Sequence, residues 1–144
     1  MLLAIDIGNT NIVCAIFDGD KIVDELRLES TPETINQFYN FTSITVGRVI
    51  ISSVVPKLTE IYTKICASLY QTNPLIVRHN NIPGLMLEVD EPSQVGADRI
   101  CNTIAAGELH KLPCVVVDSG TAVKYDVISE SGAFLGGAIA PGMD

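Results

Sequence analysis

The chain has 144 residues, 47% of them hydrophobic and 18% charged, and a formal net charge of −8. That balance fits a folded chain of one ordinary domain or two small lobes, and excludes a disordered one. The acidity and the scatter of its nine Lys and Arg argue against nucleic acid as a partner, which would need a basic patch.

Leu2 to Ile7 is a short apolar run that predicts a buried strand. Asn11 to Phe17 predicts a second, and Asp18-Gly19-Asp20 a hairpin turn into a third over Lys21 to Leu28. The three form an antiparallel meander. Ser30 with Glu33 fits a capping box and Pro32 a first helical turn, for a short helix ending near Tyr39 or Asn40. Arg48 to Val55 is β-branched and nearly continuous, which predicts a central parallel strand. Pro56 opens a helix with Leu58, Ile61, Ile65 and Leu69 as its apolar stripe. Pro74 to Val77 is a further short strand, and Asn80 to Pro92 an irregular segment. Ser93 is expected to cap a helix from about Gln94 to Leu109, with Ile100, Cys101, Ile104 and Ala105 inward.

The pattern then restarts. Pro113 to Asp118 and Thr121 to Ser129 predict strands, Glu130-Ser131-Gly132 a turn, and Ala133 to Ala140 a third strand. Asp118 takes the place of Asp6, and Gly120 that of Gly8. The expected fold is α/β with two duplicated lobes. Residues 1–111 form β-β-β-α-β-α-β-α with a mixed sheet, and residues 112–144 the opening strands of an incomplete second lobe. Such a sheet lacks covering helices, so either the chain is truncated or a partner chain covers it.

No apolar run approaches the roughly 20 residues of a membrane span, and MLLAIDIG carries no basic leader or cleavage site. A cytoplasmic protein without membrane contact is expected. Cys14, Cys66, Cys101 and Cys114 have no metal-ligand spacing and read as reduced, mostly buried thiols. His79 and His110 are isolated, and read as loop or helix-end residues.

Each repeat places an acid, a glycine and small polar residues at a bend between two apolar runs. At Asp6-Ile7-Gly8-Asn9-Thr10-Asn11 the glycine permits a tight bend, and amides from Gly8 to Asn11 can point at phosphate oxygens. Asp6 would repel a phosphate, so its role would run through Mg²⁺ and its waters. A polar hairpin with a capping Asp is the plainer reading of one copy; the second copy, Asp118-Ser119-Gly120-Thr121-Ala122, favours two lobes holding one polyphosphate. No GxxxxGK[ST] loop is present. Gly96-Ala97-Asp98-Arg99 begins a helix. Asp98 and Arg99 form either a surface ion pair or a site in which Asp98 accepts a hydroxyl proton and Arg99 holds an anionic group.

In order and spacing, AIDIGNTNIV, IISSVVP, VGADRICN, VVDSGTA and LGGAIAPG resemble the type III pantothenate kinases over essentially the whole chain. The resemblance implies two duplicated ribonuclease-H-like lobes of the actin-like ATPase kind, shared with sugar kinases, acetate kinase and Hsp70 chaperones. It implies ATP-dependent phosphorylation of the terminal hydroxyl of pantothenate, the first step of coenzyme A synthesis, by a homodimer. Asp6, Ile7, Gly8, Asn9, Thr10, Asn11, Ile12 and Val13 would form the first ATP phosphate loop, with Asp6 near Mg²⁺. Gly96, Ala97, Asp98 and Arg99 would bind pantothenate, with Asp98 as the base. Gly120 and Thr121 would contact ATP, and Asp118 would hold a monovalent cation, K⁺ or NH₄⁺.

The chain departs from that pattern in several places. Thr31 to Gly47 is short, Val89 stands where a tyrosine is usual, and Ser119 replaces an aromatic. Val123, Lys124 and Tyr125 follow the second turn in place of the usual Thr and Phe. The family pattern also continues past GGAIAPG. Two other readings stay open: a kinase-like regulatory or accessory homologue without activity, and an ATP-binding lobe acting on another small alcohol or acid.

Overall fold

Alternation along the chain translates directly into paired strands. The computed structural model describes residues 1–41 and 44–142. In chain order its elements are β1 (Leu2–Ile7), β2 (Asn11–Asp18), β3 (Lys21–Glu29), α1 (Ile35–Phe41), β4 (Arg48–Ser53), α2 (Pro56–Tyr70), β5 (Leu75–Ile76), α3 (Ala97–Leu109), β6 (Cys114–Ser119), β7 (Ala122–Ile128) and β8 (Phe134–Pro141). They divide into two compact units, Met1–Val77 and Arg78–Asp144. Thr42 and Ser43, within the abbreviated Thr31 to Gly47 segment, and Met143 and Asp144, beyond β8, lie outside the described residues.

The first unit is a five-stranded mixed sheet in the order β3-β2-β1-β4-β5. β1 runs antiparallel to β2 and parallel to β4, as the meander and the β-branched Arg48 run predict. Leu3, Ile5 and Ile7 alternate inward on β1, and Ile12, Cys14 and Ile16 do so on β2. Phe38 of α1 meets Tyr62 of α2 edge-on, with ring centroids 4.9 Å apart.

In three places the local structure differs from the pattern of the sequence. Ser30 and Glu33 make no capping box: the turn at Pro32–Thr34 begins after Thr31 without a side-chain cap. The Ser30 hydroxyl donates instead to the Gly8 carbonyl, at 2.6 Å. β4 stops at Ser53 rather than Val55, because the Ser53 hydroxyl accepts the Val55 amide and draws the backbone toward α2. On α2 the buried residues are Leu58, Tyr62 and Cys66, while Ile61 and Ile65 are half-buried and Leu69 is 42% exposed. The bulky Tyr62 ring, seated on Phe38, rotates the helix away from the stripe that hydropathy alone selects.

The second unit is an antiparallel sheet in the order β6-β7-β8. Its three strands repeat the opening of the first unit: two antiparallel strands joined at an Asp-x-Gly bend, then a third strand paired to the second. α3 packs Ala106 against Ile128 and Phe134. Ser93 is not its cap: Pro92–Gln94 is a separate 3-10 turn, and α3 starts after Gly96, without a side-chain cap. Its buried residues are Ala97, Ile100, Thr103 and Ala106. Ile104 and Ala105, expected inside, are exposed, and Cys101 is half-buried. Thr103 can take the interior because its hydroxyl donates to the Arg99 carbonyl. The irregular stretch before α3 is not wholly unpaired, since Leu87 bridges to Phe134.

Cross-strand register sets which face of this sheet is apolar and open. Val115 lies opposite Val127, and Val117 opposite Tyr125. All four are at least 40% exposed.

Candidate functional site

The first bend is set by glycine and braced by serines. Asp6 lies in β1 opposite Val13 and beside Ser52 of β4. The buried Ser52 hydroxyl donates to Asp6 Oδ1 at 2.8 Å, which orients an otherwise exposed carboxylate. Gly8 closes the bend by donating its amide to the Asn11 carbonyl at 2.9 Å. A Cβ at position 8 would lie 3.2 Å from that same oxygen. The Gly8 amide is thus taken by the turn, and the exposed polar edge is Asn9 and Thr10. Ile7 and Ile12 are buried, so they hold the loop rather than line it, and Val13 is half-buried. An exposed carboxylate on a rigid strand, beside polar loop residues, suits Mg²⁺ carried by nucleotide phosphates and water, since Mg²⁺ needs few protein ligands.

The second bend is one residue shorter. Gly120 donates its amide to the Ala122 carbonyl, and Gly142 donates to the Thr121 carbonyl. A Cβ at position 142 would lie 2.5 Å from the Gly120 carbonyl oxygen. Gly120 and Thr121 remain exposed. In the first unit the residue opposite the acid is Val13, but opposite Asp118 it is Lys124. Paired residues of an antiparallel ladder share a face. Lys124 therefore reaches Asp118 directly, with Nζ 2.9 Å from Oδ2. The same ammonium donates to Asp98 Oδ2 at 2.5 Å.

Asp98 stands in the first turn of α3, where its Oδ1 accepts the Arg99 amide at 2.8 Å. Both oxygens are held, yet a carboxylate has about four lone-pair sites, so acceptor capacity remains. Burial draws the Lys124 ammonium down, but hydrogen bonds to Asp98 and Asp118 outweigh it and hold its pKa above the ordinary lysine range. The pairing thus contributes stability that is complete below that range and is lost as pH rises through the raised value.

Arg99 does not pair with its neighbour Asp98. Its Nε donates to Asp126 Oδ1 at 2.6 Å, and its guanidinium lies 5.1 Å from the Phe134 ring centre. Asp126 is fully buried and comes from the middle of β7. The β8 backbone makes room: a Cβ at Gly137 would lie 1.8 Å from the Tyr125 carbonyl oxygen and 2.7 Å from an Arg99 nitrogen.

The second unit therefore gathers Asp98, Arg99 and Asp118 together with Lys124 and Asp126. Asp126 and Ser52 have no role in the sequence analysis, and Lys124 enters it only as a departure from a pattern. A signal did exist. Asp118 on β6, with Lys124 and Asp126 at alternate positions of β7, are charged residues on one face of apolar strands.

The remaining candidates are structural. Burial pushes the thiols of Cys14 and Cys66 up to about 12, which leaves them protonated and unreactive. His110 ends α3. Among the described residues no group of three or more His, Cys, Asp or Glu is placed to hold a metal ion, and no helix is long and apolar enough to cross a membrane.

A family model described as type III pantothenate kinase matches residues 2–144. Curated relatives of that name come from Syntrophus aciditrophicus, 40% identical, Thermomicrobium roseum, 41%, and Geobacter sulfurreducens, 38%. Each match covers 99% of this chain and 60–61% of the relative. The chain thus spans about 60% of the length of these relatives. Among solved structures, a chain named for a Baf family transcriptional activator from Campylobacter jejuni is 28% identical, with a TM-score of 0.58 over 98% of this chain and 55% of that one. A chain named for a 2-dehydro-3-deoxygalactonokinase from Sinorhizobium meliloti is 15% identical, with a TM-score of 0.57 over 96% of this chain and 53% of that one. The last likeness is one of fold.

Proposed function

We propose that this chain, which belongs to the type III pantothenate kinase family, carries the phosphate-loop and hydroxyl-activating residues of an ATP-dependent kinase. The reaction is transfer of the γ-phosphoryl group of ATP to the terminal hydroxyl of pantothenate, giving 4'-phosphopantothenate at the start of coenzyme A synthesis. The observation that carries this reading is Asp98. It is a half-buried carboxylate at the start of a helix, oriented through one oxygen by a backbone amide and through the other by Lys124.

In this reading, residues 6–13 and the Gly120-Thr121 bend belong to two repeat-related lobes, 1–111 and 112–144, and each is a phosphate-binding bend. Mg²⁺, held near Asp6, supplies neutralisation of phosphate charge when bound. Gly96 and Ala97 leave room for pantothenate beside the backbone. Asp98 accepts the hydroxyl proton and aims the attacking oxygen. The Arg99 guanidinium, fixed by Asp126, offers its remaining donors to the carboxylate of pantothenate. A cytoplasmic homodimer goes with this reading.

A second reading, a kinase-like accessory protein without turnover, draws on one observation: Lys124 stands against the proposed base. ADP release measured with ATP, Mg²⁺ and pantothenate separates the two. Release that depends on pantothenate is the expected result. Nucleotide binding with no pantothenate-dependent release would favour the accessory protein.

A further inference from the structure

The resemblance places a monovalent cation on Asp118, and the geometry does not fit one. Asp98 from α3 and Asp118 from β6 converge on a single point, and Lys124 Nζ occupies it, 2.5 and 2.9 Å from their oxygens. The cluster is partly shielded, with the three side chains 21–38% exposed. Lys124 is the register partner of Asp118, so the β6–β7 ladder sets its side chain on the same face as that carboxylate. A second cation beside the ammonium would face a like charge at close range in a partly desolvated setting. The other charges nearby, Arg99 and Asp126, are already paired with each other. The equivalent position of the first unit holds Val13, so no ammonium follows from the repeat itself.

We propose that Lys124 is a built-in cation: its ammonium joins Asp98 to Asp118 in place of a bound K⁺ or NH₄⁺, and the protein needs no monovalent ion at this position. Lys124 is thus a positioning residue for Asp98. The inference takes only the expected place of the ion from the kinase reading. Its test reads stability, so loss of kinase activity and failure of the inference are separate results.

The test compares melting temperatures in potassium, ammonium and tetramethylammonium chloride at equal ionic strength. The unmodified protein should melt at the same temperature in all three. Lys124→Thr opens the space between the two carboxylates. It should melt about 4 °C lower in tetramethylammonium and recover in potassium or ammonium, ions small enough to enter. Lys124→Met fills the space without charge and should be lowered with no recovery, and Asp118→Asn added to Lys124→Thr should abolish the recovery. Stabilisation of the unmodified protein by potassium or ammonium over tetramethylammonium would overturn the proposal, even if no variant folds. So would Lys124→Thr that folds and ignores the salt.

Discussion

Gly137→Ala should unfold the second unit. The added methyl carbon would fall 1.8 Å from the Tyr125 carbonyl oxygen and 2.8 Å from its carbonyl carbon. Those are backbone atoms of the neighbouring strand, so no rotamer change relieves the overlap and β8 must leave β7. The same methyl would lie 2.7 Å from the Arg99 nitrogen and disturb the buried Arg99–Asp126 pair. Overpacking in a well-filled interior costs about 1–3 kcal/mol, and a backbone collision more than that. For a unit of this size that corresponds to a drop of more than about 10 °C in melting temperature. Hydrogen exchange locates the damage: amides of β6 to β8 should lose protection while β1 and β2 keep theirs. Gly107→Ala is the control. It lies inside α3 with open space around the new methyl, and should add about 0.5–1 kcal/mol. A Gly137→Ala protein as stable as the parent would show that β8 can move on β7 without cost.

Asp98→Asn should lower turnover by about 10²–10⁴-fold, the usual contribution of a positioned base, and leave ATP affinity within a few-fold. The substitution keeps the shape of the side chain and its acceptance of the Arg99 amide through Oδ1. It removes the charge that Lys124 holds and the capacity to take a proton. Steady-state kinetics on the protein that shows pantothenate-dependent ADP release, with nucleotide binding measured in parallel, read both effects. Unchanged turnover would remove Asp98 from the mechanism, and a parallel loss of ATP binding would recast it as a structural residue.

Much of the fold was legible because it is local. Apolar runs over Leu2 to Ile7 and Asn11 to Phe17, with glycine at the bend, are enough to give β1, β2 and their antiparallel pairing. The same holds for Asp118-Ser119-Gly120, where the acid, the glycine and the following apolar run reproduce the first bend. Helix rotation was less legible. The stripe on α2 could be drawn through Ile61 and Ile65 or through Tyr62 and Cys66, and the contact of Tyr62 with a ring on another helix decides it. Ser30 satisfied a capping rule on paper, yet its hydroxyl found the Gly8 carbonyl, 22 residues away.

The sequence by itself determined the strand order of each opening meander, the two Asp-x-Gly bends and the family, because short-range periodicity and motif order encode them. Only the tertiary structure decided the partners of the charged groups. Arg99 turns from its neighbour to Asp126, and Lys124 joins Asp98 to Asp118. A strand of alternating residues states which face a charge occupies, but not which charge another element brings to it. Burial makes that meeting obligatory: a charge that leaves water must find an opposite one, and the packing of α3 on β6 and β7 determines which is within reach.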